Sequence, residues 1–164
     1  MNDFEERKKA LLQPLLFEAG AALMDCQTFE FGVGLLIFHL SRLGGTEGLE
    51  PDKVMMILDD KDKKTAGQLV AILKRHVEVS EGIEKALQEA LAARNKIVHR
   101  ILIDNIESVL DKDALSHLVK DIRTLRSRVQ AADKLLQPFN YAFSEALDGV
   151  AQDELEIELK KALE

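Results

Sequence analysis

Between Leu115 and Leu136 the residues Leu115, Leu118, Ile122, Leu125, Val129, Ala132 and Leu136 recur at alternating steps of three and four. That spacing lines up one stripe of an α-helix and neither face of a strand, because side chains repeat every 3.6 residues around a helix and every two along a strand. A stripe of this length has to be covered by other helices, as in an antiparallel bundle. Elsewhere Ala, Leu, Glu and Lys recur at the same steps, and the chain holds only 3 prolines, 1 tyrosine and no tryptophan. The sequence is therefore read as all-α, an up-down helical bundle of about five helices.

A length of 164 residues with 46% hydrophobic content suffices for one domain with its own core, so a single domain over 1–164 is expected. The longest apolar run, Phe31 to Leu40, is about half the roughly 20 residues that span a bilayer and contains His39. It is read as core, and no membrane partner is expected. The opening MNDFEERKKA carries both charge signs and leads into no signal-type apolar region, so secretion is not expected. The single cysteine, Cys26, cannot form an internal disulfide, which fits a reducing cytoplasm.

Net charge is −7, which disfavours gripping long nucleic acid by electrostatics alone. The charge is uneven. Residues 61–100 carry +4 and the remainder −11, so a basic segment sits inside an acidic protein and is compatible with a small anionic target. The competing reading is a solvated helix face.

The first helical region is expected from about Phe4 to Leu43, broken or kinked at Pro14 and stopped by Gly44-Gly45. Its centre is apolar on nearly every side, as in a helix contacted on more than one face. Gly32 and Gly34 within it permit close backbone approach. Residues 50–64 read as a connector with a short apolar turn and then a charged loop, DDKDKK. Thr65 is a predicted N-cap for a helix over Ala66 to Val77, and Ser80 for one from about Glu81 to Ile103. A polar break at Asp104-Asn105 precedes the striped helix, which Pro138 is expected to kink or end. The acidic segment 151–164 is either a docked helix or a frayed tail.

The helix opened by Ser80 contains LAARNKIVHR, Leu91 to Arg100. Its row Ile83, Leu87, Ala90, Arg94, Ile97, Ile101 steps 4-3-4-3-4, so Arg94 falls on the stripe expected to face a partner helix. A guanidinium there needs an acceptor, an anionic ligand or an open seam. The next row, Gln88, Ala92, Asn95, His99, is almost wholly polar or small, and Asn95 and His99 lie one turn apart. Arg94 and His99 are about 140° apart around the axis and about 7.5 Å apart along it. They border one groove only if it lies between the two rows.

The string Arg94-Asn95-Lys96-Ile97-Val98-His99 matches R-N-x-x-x-H, a form of the R-x(4–6)-H signature of the HEPN superfamily. The context TAGQLVAILKRH, an acidic helix start and ALQEALAARNKIVHRIL also resembles the motif-bearing region of such proteins, over about residues 65–103. The resemblance implies a helical bundle that commonly dimerises through the motif region and, in many members, cuts RNA without a metal. Arg94, His99 and Asn95 are then the implied catalytic residues. Histidine can take or give a proton near neutral pH, arginine can clamp a phosphate in bidentate fashion, and Asn95 would orient the site. A symmetric dimer would bring two copies of His99 to one cleft and supply both an acid and a base. The tyrosine that one toxin-type pattern places two residues after the histidine is replaced by Ile101, so regulation through that tyrosine is not expected.

The functional expectation is a metal-independent endoribonuclease or RNA- or nucleotide-binding domain of toxin or stress-response type. It would act as a homodimer in the cytoplasm, with RNA and a cognate regulatory protein of toxin–antitoxin kind as partners. The rival is a non-catalytic dimerisation or protein-interaction module, in which Arg94 is a polar intrusion paired with an acid and His99 donates to a carbonyl. A helical transcriptional regulator ranks below both, since no basic recognition helix is evident. His39 is read as a satisfied core histidine and Cys26 as a small buried hydrophobe. His39, His76 and His117 have no companions at metal-ligand spacing, Asp59, Asp60 and Asp62 lack the rest of a calcium loop, and Gly67 stands outside any phosphate loop. No metal and no cofactor are expected.

Overall fold

The computed structural model describes residues 3–44, 50–58, 65–107 and 111–163, with side chains over 6, 9–44, 50–56, 65–107 and 111–149. The described residues are helical and contain no strand: α1 Asp3–Arg42, α2 Pro51–Leu58, α3 Ala66–His76, α4 Glu81–His99 and α5 Lys112–Leu163. They form two compact units. The first holds residues 1–29 and 80–133, the second residues 30–79 and 134–164, so α1 and α5 contribute to both.

In the first unit the striped part of α5 buries Leu115, Leu118, Ile122, Leu125, Val129 and Ala132. These join Leu15, Ala22, Cys26 and Phe29 of α1 and Leu87, Ala90, Ala93 and Ile97 of α4 in its apolar core. Cys26 is buried and forms no disulfide. Glu18 is only 5% exposed, yet its carboxylate is fully engaged. Arg123 Nε donates to Oε1 at 2.7 Å and Arg126 Nη1 to Oε2 at 3.4 Å. Arg126 Nε also donates to Asp25, whose Oδ2 accepts from Gln130 Nε2 at 2.9 Å. The hydrogen bond from Arg123, with Arg126 beside it, holds the Glu18 carboxyl below the usual carboxylate range against the opposing pull of burial.

The second unit buries Val33, Leu36 and Ile37 of α1, Val54 of α2, Ala66, Leu69, Val70 and Leu73 of α3, and Leu136 of α5. Helix α3 starts on a full capping box. Thr65 Oγ1 accepts from the Gln68 amide at 3.4 Å, and Gln68 Oε1 accepts from the Thr65 amide at 2.8 Å. Asn140 Nδ2 donates to the Gly32 carbonyl at 2.9 Å. His39 is buried as expected, beside Asn140; among the described residues its Nδ1 and the Asn140 Oδ1 have no hydrogen-bond partner.

Several boundaries differ from the sequence reading. Helix α1 runs through Pro14 and α5 through Pro138 without ending. Each ring removes one N–H, and the carbonyl it would have met belongs to an exposed residue, Ala10 or Lys134, where water can satisfy it. Helix α5 likewise continues past Asp148-Gly149 through the acidic segment, whose side chains lie outside the described residues. The short turn after Glu50 is instead helix α2, with Pro51 at its first position, where the missing N–H costs nothing. Gly44 does stop α1, at φ +72°, a left-handed conformation suited to glycine. The charged loop at 59–64, with Asp59, Asp60 and Asp62, lies outside the described residues.

By length and composition alone, Lys9–Arg42 of α1 would also suffice to cross a membrane. The core helix of a soluble protein passes the same test, and 44% of the qualifying window is buried.

Candidate functional site

Helix α4 is opened by Ser80, whose Oγ accepts from the Ile83 amide at 3.4 Å. Its buried face is Leu87, Ala90, Ala93 and Ile97, continued by Ile101 beyond the helix end. Ala93, not Arg94, therefore occupies the centre of the stripe at that turn. Arg94 sits at its margin, half-buried, while Asn95, Lys96, Val98 and His99 are exposed. The small Ala93 side chain fills the seam without desolvating a charge.

This placement brings the three candidate residues together. Arg94 Nη1 donates to Asn95 Oδ1 at 3.2 Å and lies 3.1 Å from His99 Nε2. One guanidinium nitrogen thus bridges the polar row and crosses the 140° that separates positions 94 and 99 on an ideal helix. Arginine has donors only, so the contact with His99 is a hydrogen bond when the ring is neutral, with Nε2 accepting and the proton on Nδ1. In this arrangement Asn95 holds the guanidinium and the guanidinium covers the basic nitrogen of His99.

The helix ends at His99 and not at Ile103. The Arg100 amide still reaches the Lys96 carbonyl at 3.0 Å, and the Ile101 amide reaches the same oxygen at 2.7 Å, closing a wider turn. That turn keeps Ile101 in the core while the chain leaves the helix axis. Asn105 Nδ2 then donates to the Ile101 carbonyl at 2.8 Å, and Arg100 pairs with Asp104 at 3.3 Å, so the polar break continues the α4 terminus as an ordered turn. Exposed Lys96 and Arg100 flank the cluster and add positive charge at the C-terminal end of α4.

Among the described residues, no group of three or more His, Cys, Asp or Glu side chains is placed to hold a metal ion. The polar network of Glu18, Asp25, Arg123, Arg126 and Gln130 was not anticipated from sequence. Its only signal is spacing: the two acids lie seven apart on one helix and the donors three and four apart on another. Comparison with protein families, with characterised proteins and with solved structures gives no match for this chain.

Proposed function

We propose that this chain is a metal-independent endoribonuclease domain of toxin or stress-response type, working as a homodimer, with Arg94, Asn95 and His99 as its reacting cluster. The observation that carries this reading is the convergence of one guanidinium nitrogen on Asn95 and His99 at an accessible helix terminus. A phosphodiester is the substrate that such a cluster suits. Its anionic oxygens compete for the Arg94 guanidinium better than a neutral imidazole does, because hydrogen bonds between charged groups are about twice as strong as neutral ones. Arg94 then turns to the phosphate and uncovers the Nε2 of His99. His99 takes the proton of the ribose 2′-hydroxyl, the 2′-oxygen attacks the adjacent phosphorus, and the bond to the 5′-oxygen breaks. The histidine of a second copy protonates that leaving oxygen, giving a 2′,3′-cyclic phosphate and a 5′-hydroxyl.

The test is cleavage of end-labelled RNA in EDTA by wild type, His99→Ala and Arg94→Lys. The expected result is cyclic phosphate ends from wild type and a loss of about a hundredfold or more with His99→Ala. Arg94→Lys should fall substantially too, since a point charge cannot clamp two phosphoryl oxygens. Equal cutting by His99→Ala would overturn the assignment. No cutting by folded wild type would favour the second reading, a non-catalytic interaction module, which the exposed apolar side chains Leu16, Phe17, Leu23 and Met24 of α1 also suit.

A further inference from the structure

In the first unit α1 has two apolar faces, and only one is covered. Leu15, Ala22, Cys26 and Phe29 are buried, whereas Gln13, Leu16, Phe17, Gly20, Leu23, Met24 and Gln27 are all exposed. Leu16, Phe17, Leu23 and Met24 are 44% to 70% exposed. No charge interrupts this second face. The acids within the interval, Glu18 and Asp25, turn instead to Arg123, Arg126 and Gln130. Single exposed leucines are ordinary, but an uncharged apolar stripe over four turns marks an interaction surface.

The stripe also reads alike in both directions. About Gly20, glutamines stand seven residues away on either side (Gln13, Gln27), large apolar residues four away (Leu16, Met24) and three away (Phe17, Leu23). An isologous interface needs residue i to meet j while j meets i, and a two-fold axis through Gly20 pairs these positions when two such helices run antiparallel. Gly20 has nothing within 4 Å of where a Cβ would stand, so the crossing point is open to close approach of another helix.

We propose that a second copy of this chain docks on this stripe, α1 against α1 in antiparallel orientation, with Gly20 at the two-fold axis. Through Leu16 the stripe joins an apolar groove formed with Leu12, Leu15, Leu102, Ile103 and Ile106. Leu102, Ile103 and Ile106 are 47% to 72% exposed, so seven large apolar side chains share one continuous surface. At on the order of 100 Å² each, they approach the roughly 800 Å² per partner of a stable interface. The α1 residues of the groove lie within eight positions of Gly20, about 12 Å along the helix, so the turn that follows His99 borders the axis in each copy. The inference stands on the α1 face and is independent of ribonuclease activity.

Site-directed cross-linking of the full chain with a short bismaleimide tests the register. Gly20→Cys should give a covalent dimer. Gln13→Cys alone and Gln27→Cys alone should not, because about 21 Å along the helix separates each from its own copy. An equimolar mixture of those two should cross-link. Wild type, whose Cys26 is buried, is the blank. In sedimentation equilibrium wild type should be dimeric, and Phe17→Glu or Met24→Glu should each raise Kd about a hundredfold or more, since each change strikes two symmetry-related contacts. Helix content should stay unchanged, both side chains being exposed. A monomeric wild type, a dimer indifferent to Met24→Glu, cross-linking of Gln13→Cys with itself, or wild-type partition into phosphatidylcholine vesicles that Phe17→Glu abolishes would each overturn the proposal. Dimerisation is read without RNA, so its failure and a failure of cleavage are distinct results.

Discussion

The two compact units treat buried polarity in opposite ways. In the first, Glu18 is buried against two guanidinium groups, and the bonds continue through Arg126 to Asp25 and Gln130. In the second, His39 lies buried beside Asn140, and among the described residues the His39 Nδ1 and Asn140 Oδ1 have no partner. The first arrangement tolerates a charge in the interior because the charge is answered; the second tolerates a histidine because the ring can shed its proton. Burial accordingly pushes the His39 pKa down, with the Asn140 amide offsetting part of that effect. Ionic pairing therefore ties α1 to α5 in the first unit, while the second carries a titratable group that folding keeps neutral.

Breaking the answered charge should have the largest effect. Glu18→Ala leaves Arg126 half-buried without one of its carboxylates and should cost about 2–3 kcal/mol in urea denaturation. That is somewhat below a fully enclosed pair, because Arg123 is largely exposed. Glu18→Leu combined with Arg126→Met should recover most of the loss if pairing, and not packing, is what the site supplies. Acidification probes the same pair: with its folded pKa lowered, Glu18 contributes above its ordinary value of about 4.5, and the contribution fades as pH falls through the lower folded value.

The buried histidine should respond more mildly and at a different pH. Its folded pKa lies below its ordinary 6.5, so the unfolded chain takes up the proton first. Stability is full above about pH 6.5 and declines as pH drops below it. His39→Leu should flatten that decline and, at neutral pH, leave stability within about 1 kcal/mol of wild type, since no hydrogen bond to Nδ1 is lost. Thermal melts between pH 7.5 and 5 check both statements; a wild-type curve flat over that range would remove His39 from the comparison.

The smallest contrast is between the helix caps. Thr65→Ala in the second unit removes one half of a two-bond capping box and should cost about 1 kcal/mol. Ser80→Ala in the first removes a bond of the same 3.4 Å length, but one outside any capping box because Ile83 cannot answer it as Gln68 does, and should cost about half as much. Equal losses would show that the reciprocal Gln68 bond adds nothing.

Periodicity makes much of this molecule legible from sequence. All seven positions of the α5 stripe are buried, and both predicted caps accept the expected amides. Neither proline ends its helix, because the carbonyl each ring frees sits at an exposed position, where water can be its partner. Arg94 misled in part. Spacing put it on the stripe, but a shift of one residue gives the seam to Ala93 and the margin to Arg94, and a helical row cannot resolve such a shift.

What the sequence determined by itself was the helical class, the α5 stripe, the caps and the grouping of Arg94, Asn95 and His99 near one helix end. Each is fixed by contacts within about one turn of chain. Tertiary structure alone decided the pairing of Glu18 with Arg123 and Arg126, more than a hundred residues distant in sequence, and the burial of His39 beside Asn140. It also decided which of the two apolar faces of α1 is spent on the core. A helix that is apolar all round states only that it has partners, and their number and position are set by what else packs there.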